Sequence, residues 1–226
     1  MWQQNIRSHG FAILTGRFAS SEVEALSAEL NALPFSRSRA GIRHLLGHPV
    51  VAQYARDPRL LCAVQILLGA DAFPFRATLF DKSQNSNWLV IWHQDKALPL
   101  RSRRERQGWG PWSTKNGILY AHAPTAALEK VVALRIHLDA SGHNNGPLRI
   151  LPGTHSLGVL SDEAIEHLAT QVSPVNCLVA EGGILAMRPF AVHASSKSSS
   201  PAPRRVLHIE YAAEAAIADG LELALA

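Results

Sequence analysis

Trp88-Leu89-Val90-Ile91-Trp92-His93-Gln94-Asp95 is an apolar run that ends in a histidine and a carboxylate two positions apart. Its β-branched and aromatic residues read as a strand, and in an extended chain alternate side chains share a face. His93 and Asp95 can therefore offer a nitrogen and an oxygen to one metal ion, and a distant second histidine would complete a two-histidine, one-carboxylate facial set. So short a motif also arises by accident. With 11 histidines and 18 acids in 226 residues, roughly one His-x-Asp/Glu match is expected by chance. This chain has three, His93/Asp95, His137/Asp139 and His208/Glu210, each in a β-branched or apolar run. Spacing alone does not choose among them.

Upstream, Phe73 to Asp81 has the period of two of a strand; Lys82 to Asn87 reads as a turn and Trp88 to His93 as the strand's hairpin partner. Downstream, Lys96 to Lys130 shows no clear periodicity but carries Arg101, Arg103, Arg104, Arg106, Trp109 and Trp112. A segment of that length without regular structure, placed just after candidate ligands, reads as a lid or binding loop. Short strands follow at Val131–Leu138, Pro147–Leu151, Pro174–Val179, Gly183–Met187, Pro189–His193 and Arg204–Tyr211, with a helix at Ser161–Thr170. The N-terminal part predicts a strand over residues 5–16, a helix starting at Ser20-Ser21 with a hydroxyl cap and ended by Pro34, a basic connection with Arg37, Arg39 and Arg43, and two short helices over 50–56 and 58–68. Residues 213–226 read as an apolar helical tail. Many short, turn-bounded strands preceded by helices predict a mainly β fold, a sandwich or barrel with an N-terminal helical layer.

The length suits one substantial core, so residues 1–226 read as a single domain: about 1–70 as the N-terminal part, about 71–212 as the core with a lid insertion at about 96–130, then the tail. A hydrophobic content of 47% with 18% charged residues is ordinary for a globular chain. The net charge of +4, much of it at Arg101–Arg106, is compatible with an anionic substrate. Cys62 and Cys177 lack metal-type spacing and read as free thiols. The N-terminus has no signal-peptide pattern and no apolar window reaches membrane-span length, which predicts a cytoplasmic protein.

Three stretches together resemble the phytanoyl-CoA dioxygenase family of Fe(II)/2-oxoglutarate oxygenases. They are Trp92-His93-Gln94-Asp95, Gly146-Pro147-Leu148-Arg149-Ile150-Leu151-Pro152-Gly153-Thr154-His155, and His193-Ala194-Ser195 followed by Pro203-Arg204-Arg205. The likeness covers roughly residues 70–212 in the family's order and selects His93/Asp95 among the three pairs. It implies a double-stranded β-helix, the jelly-roll or cupin-like fold, with the N-terminal helices packed on one face. It also implies His93, Asp95 and His193 as iron ligands, with 2-oxoglutarate and O2 as cosubstrates. Arg204, eleven residues beyond His193, matches the family's 2-oxoglutarate-binding arginine, although Arg205 competes for the part. A guanidinium is a fixed, permanently charged fork that grips a carboxylate with two hydrogen bonds. Ser195 matches a hydroxyl that assists that carboxylate in some members, and Gln94 a side chain near the metal.

The expected activity is hydroxylation of a small organic molecule with decarboxylation of 2-oxoglutarate to succinate and CO2; no nucleic-acid or membrane partner is expected. Two alternatives stand beside it: a non-catalytic jelly-roll module that binds a metal or ligand, and a nucleic-acid demethylase of the same chemistry using the arginine run and its tryptophans as a stacking patch. His137/Asp139 and His208/Glu210 read as hydrogen-bonded strand residues, with His208 on the strand face of Arg204. His155 reads as a turn contact.

Overall fold

The computed structural model of the protein describes residues 1–33, 41–83 and 86–226. Trp2–His9 opens the chain as a helix (α1) that stops on Gly10, whose φ of 86° is left-handed and whose N–H bonds the Ile6 carbonyl. Glycine adopts that terminating conformation without a Cβ penalty. The strand expected over 5–16 is therefore confined to Phe11–Leu14 (β1). Ser20–Ala32 (α2) is capped by Ala19 rather than by a serine hydroxyl, and the Glu22 carboxylate accepts the Ala19 N–H at 2.8 Å, half of a capping box. Pro34, Arg37 and Arg39 lie outside the described residues. Pro49–Ala55 (α3) and Pro58–Leu68 (α4) form as expected, each with proline in its first turn.

The strands that follow are Phe73–Lys82 (β2), Val90–His93 (β3), Ala97–Leu100 (β4), Trp112–Lys115 (β5) and Ile118–His122 (β6). After a single-turn helix, Thr125–Leu128 (α5), come Val131–His137 (β7), Leu148–Ile150 (β8), the helix Asp162–Gln171 (α6), Val175–Cys177 (β9), Ile184–Met187 (β10), His193–Ser195 (β11) and Arg204–Ala212 (β12). Ala216–Ala218 (β13) and Leu221–Glu222 (β14) close the chain. A five-stranded antiparallel sheet, β1-β10-β7-β12-β2, packs on a four-stranded one, β3-β11-β8-β9. This is the expected jelly roll.

Three expectations change. β2 and β3 are not a hairpin: β2 pairs along its length with β12, and β3 pairs with β11 in the other sheet. The stretch 96–130 contains a three-stranded sheet, β4-β6-β5, with only 101–111 as an irregular connection between β4 and β5. Its period was invisible because β4 is buried on both faces and β5 exposed on nearly every residue, so neither alternates. The tail is a β-hairpin turning at Asp219-Gly220, both with positive φ (54° and 70°), the Asp-Gly signature of a tight hairpin turn.

Alternation of side chains gives the five-stranded sheet two unlike faces. Its outer face, with Leu134, Ile136, Leu207, Ile209 and Tyr211, packs on Val23, Leu26, Leu60 and Val64 of the helices. Between the sheets, Leu148, Ile150, Cys177, Leu185 and Met187 make a smaller apolar cluster near β9 and β10. The rest of the inner face, on β2, β7 and β12, is rich in polar and charged residues, with Arg76, Thr78, Lys82, Arg135, Arg204, His208 and Glu210. The fold thus rests on the helix side, where the Tyr211 hydroxyl also donates to the Ala55 carbonyl at 2.9 Å. Tyr211→Phe leaves that buried carbonyl without this partner and should lower unfolding free energy by about 1–3 kcal/mol, read by urea denaturation, with no change in metal affinity.

Candidate active site

His193 of β11 stands directly opposite His93 of β3 in the antiparallel register, where side chains on one face come closest. Their ring centroids are 4.2 Å apart. Asp95 follows β3, its N–H on the Pro189 carbonyl, and turns its carboxylate between them, 3.7 Å from His93 Nε2 and 3.6 Å from His193 Nε2. One donor atom from each of the three lies within 4.8 Å of the others. Each histidine donates its Nδ1–H to the carbonyl two residues upstream, His93 to Ile91 and His193 to Ala191, both at 2.9 Å. That fixes the tautomers and aims both Nε2 lone pairs at the common point, as metal-binding histidines require. Burial pushes His193 down to about 4, so it is neutral at pH 7. For His93, burial opposes the charge, but hydrogen bonding and attraction to Asp95 outweigh it and hold the imidazole above its ordinary value. Burial likewise works against the Asp95 anion, yet the two histidines keep it well below the usual carboxylate range. Two nitrogens and one oxygen with an open side fit Fe(II).

Behind the triad, the inner face collects cations. Arg204, 4% exposed, points between the sheets, with Nε on the Asn145 carbonyl at 3.1 Å. Arg205 faces the other way, onto Asp139 with two side-chain hydrogen bonds of 2.9 and 2.8 Å. Arg204 is paired across the ladder with Lys82, a residue sequence reasoning missed. The Lys82 ammonium donates to Ser195 Oγ at 2.8 Å and the Ser196 carbonyl at 2.6 Å, and Ser195 Oγ donates to the Gly146 carbonyl. A Cβ on Gly146, whose φ is 66°, would stand 2.4 Å from the Ser196 carbonyl oxygen and 3.1 Å from the ammonium, so only glycine lets this corner close. Burial, then Arg204 and Arg135, pull Lys82 down to about 7. Burial, then Arg135, bring Arg204 to about 10, still protonated at pH 7.

Among the described residues no carboxylate is hydrogen-bonded to Lys82, Arg135 or Arg204. Arg135 Nε and both ring nitrogens of His137 are buried without a hydrogen-bond partner among the described residues, and burial with Arg135 and Arg204 pushes His137 down to about 3. Three cations without a carboxylate partner, beside orphaned polar atoms, fit an anionic guest, and the far carboxylate of a bound 2-oxoglutarate would supply the missing negative charge.

In front of the triad lies a cavity of about 410 Å³ bounded by His93 and Asp95, by Arg76, Thr78 and Phe80 of β2, by His208 and Glu210 of β12, by Tyr120 and His122 of β6, and by Ile165 of α6. Arg76 and Glu210 are ion-paired within it, and Arg135 donates to His208 Nδ1 at 2.9 Å. Along β2 the order Arg76, Thr78, Phe80, Lys82 thus runs from this cavity to the cationic end; that alternation was the available signal for Lys82. Gln94 has another task. Its amide donates to the Gly158 and Phe190 carbonyls at 2.8 and 2.9 Å and accepts the Leu160 N–H at 2.9 Å, so it braces the loop ahead of α6. His155 bonds the Arg7 carbonyl through Nε2 at 2.9 Å, a contact on α1.

The sequence profile of the family described as Phytanoyl-CoA dioxygenase (PhyH) matches residues 6–206. An ectoine dioxygenase of Bordetella parapertussis is 23% identical over 92% of this chain and 73% of its own length. An L-proline trans-4-hydroxylase of Streptomyces griseoviridis is 24% identical over 72% of this chain and 62% of its own. Among solved structures, EctD from S. alaskensis with 2-oxoglutarate and 5-hydroxyectoine superposes with a TM-score of 0.70 at 18% identity, covering 92% of this chain and 74% of that one. HygX from Streptomyces hygroscopicus with nickel and 2-oxoglutarate gives 0.68 at 19% identity, covering 93% and 85%.

Proposed function

The chain belongs to the phytanoyl-CoA dioxygenase family and is an Fe(II)- and 2-oxoglutarate-dependent oxygenase, and from that premise we propose that it hydroxylates a small molecule held in the cavity before His93, Asp95 and His193. The convergence of those three donors, both imidazoles locked in one tautomer, carries the reading. Bound iron, 2-oxoglutarate and O2 supply the oxidising chemistry, which yields succinate, CO2 and a hydroxylated product. The protein's own residues do the rest. His93, Asp95 and His193 hold the metal on one side and leave the other open. Arg204 takes the far carboxylate of 2-oxoglutarate, with Lys82 adding charge and Ser195 holding the ammonium in place. Gln94 acts at one remove, keeping the α6 wall of the cavity in register with Asp95. The Arg76–Glu210 pair and Phe80 line the cavity in which the substrate is held.

The names of the relatives, an ectoine dioxygenase and an L-proline trans-4-hydroxylase, support a small-molecule substrate. The nucleic-acid reading loses its footing on the arginine run: Arg101 pairs with Glu222, Arg103 with Glu105, and Arg106 bonds the Asp219 carbonyl. Among the described residues no helix is long and apolar enough to cross a membrane; with Cys62 and Cys177 as free thiols, we assign the protein to the reducing cytoplasm.

Anaerobic addition of Fe(II) and 2-oxoglutarate should produce a weak visible charge-transfer absorption, and air should then yield succinate. A protein that binds both without that absorption, or never forms succinate under air, is not an oxygenase of this kind.

A further inference from the structure

The charges around the cavity do not balance. Arg76 is taken by Glu210 and Asp95 belongs to the triad, which leaves Arg43, Lys96 and Lys115 facing Asp162 alone. Two of these cations share one side. Lys115 ends β5 with its ammonium 4.9 Å from the centre of the Tyr120 ring. The Tyr120 hydroxyl is hydrogen-bonded to His44 Nε2 at 2.8 Å, and His44 follows Arg43 in the chain. Burial, then Arg43 and Arg76, draw Lys115 below its ordinary value, and burial with Arg43 does the same to His44. Positive potential is therefore concentrated here, and among the described residues neither Arg43 nor Lys115 is hydrogen-bonded to a carboxylate. A concave wall carrying cations without acidic partners attracts an anion.

We propose that Arg43 and Lys115 form a receptor for an oxyanion carried by the substrate, a carboxylate or a phosphate, so that the molecule oxidised at the triad is a small acid. This rests on reading the cavity as the substrate site. The cosubstrate does not account for the receptor, because Lys82 and Arg204 lie outside the cavity lining and serve its carboxylate separately. Nor does the arginine run, whose charge is tied to the C-terminal hairpin and to its own Glu105. The cavity of about 410 Å³ is of the size that holds a single metabolite, so one molecule can touch both Lys115 and the metal side. The guanidinium offers two parallel donors and the ammonium a point charge, a pairing that suits either oxyanion.

The test is protection of Lys115 from acetylation by an activated ester, read by mass spectrometry against exposed Lys197 in the same sample. The full chain is assayed anaerobically with Fe(II) and 2-oxoglutarate and, in parallel, with neither. Inorganic phosphate, propanoate and neutral propanamide are the probes. One or both anions should slow acetylation of Lys115 about tenfold at saturation, the factor a charge-assisted hydrogen bond provides, and leave Lys197 unchanged. Protection by phosphate alone identifies a phosphorylated substrate; protection by propanoate alone identifies a carboxylic acid. Arg43→Gln, at an exposed position, should abolish the effect. Absence of protection by either anion, equal protection by propanamide, or full protection in Arg43→Gln overturns the proposal, as does protection by an oligonucleotide at far lower concentration than by phosphate. A missing charge-transfer absorption in the loaded sample would instead count against the oxygenase reading, and the unloaded sample still reports on the receptor.

Discussion

Replacing His193 with alanine is expected to lower Fe(II) affinity by more than about 100-fold, beyond the 10- to 100-fold typical of losing a second-shell partner, and to abolish succinate formation. His193 is the buried member of the triad and contributes from the sheet strand opposite His93, and among the described residues these three form the one group of donors close enough to hold a metal ion. The alternative histidine pairs supply the control. His137→Ala removes a buried imidazole outside the group of donors that converges on one point and should leave metal affinity within a few-fold. Equal losses in the two variants would mean that the triad is not the metal site. The pH dependence has a definite sign. Metal binding needs neutral imidazoles; His193 is already neutral above about 4, whereas Asp95 holds His93 above its ordinary value. Where His93 is charged, binding displaces its proton, so affinity falls as pH drops through the raised pKa of that residue. A metal titration at pH 6 and pH 8 reads this directly, and weaker binding at pH 8 would contradict the assignment.

The second large effect falls on Arg204. Arg204→Ala removes the guanidinium from a buried charge pair with the far carboxylate, a loss of about 2–4 kcal/mol, or about 30- to 700-fold in KM for 2-oxoglutarate at about 1.4 kcal/mol per tenfold. Arg205→Ala, whose guanidinium is held by Asp139 on the opposite face, should leave that KM unchanged. Lys82 adds a pH signature. Its ammonium loses its proton near pH 7 in the free protein, and a bound carboxylate favours the charged form. Binding of 2-oxoglutarate above pH 7 should therefore take up a proton and weaken as pH rises. Calorimetry in buffers of different ionisation enthalpy detects the uptake, and Lys82→Met should abolish it. Uptake that persists in Lys82→Met would assign the proton to another group.

What the chain reveals of this site depends on how far apart its parts lie in sequence. His93 and Asp95 are close enough for strand alternation to put them on one face, so their partnership is readable from eight residues. His193 is brought opposite by the pairing of β11 with β3, which no local pattern encodes; only the resemblance of the surrounding motif pointed to it. The resemblance pointed to Arg204 through the family's spacing from the distal histidine, and strand alternation turns Arg205 to the opposite face, where Asp139 holds it. Lys82 falls at the start of the stretch whose composition reads as a turn; the pairing of β2 with β12 sets it opposite Arg204, with its ammonium on Ser195 and Ser196. In the tail, Ala and Leu content suggested a helix, but Asp219-Gly220 set a hairpin, whose end is tied to β2 through the Ala226 N–H and Phe75 carbonyl. Local propensity lost there to turn geometry and edge pairing.

The unlike faces of the five-stranded sheet bear on how this protein can change. Leu207, Ile209 and Tyr211 point toward the helices, while Arg204, His208 and Glu210 alternate with them toward the interior, on the same nine-residue strand. Substitutions at the first set threaten the packing that keeps the chain folded, whereas the second set carries buried charge, and losing Glu210 strands the guanidinium of Arg76. Change on the inner side must therefore come in matched steps, Glu210 together with Arg76, while the two sides of β12 answer to different demands.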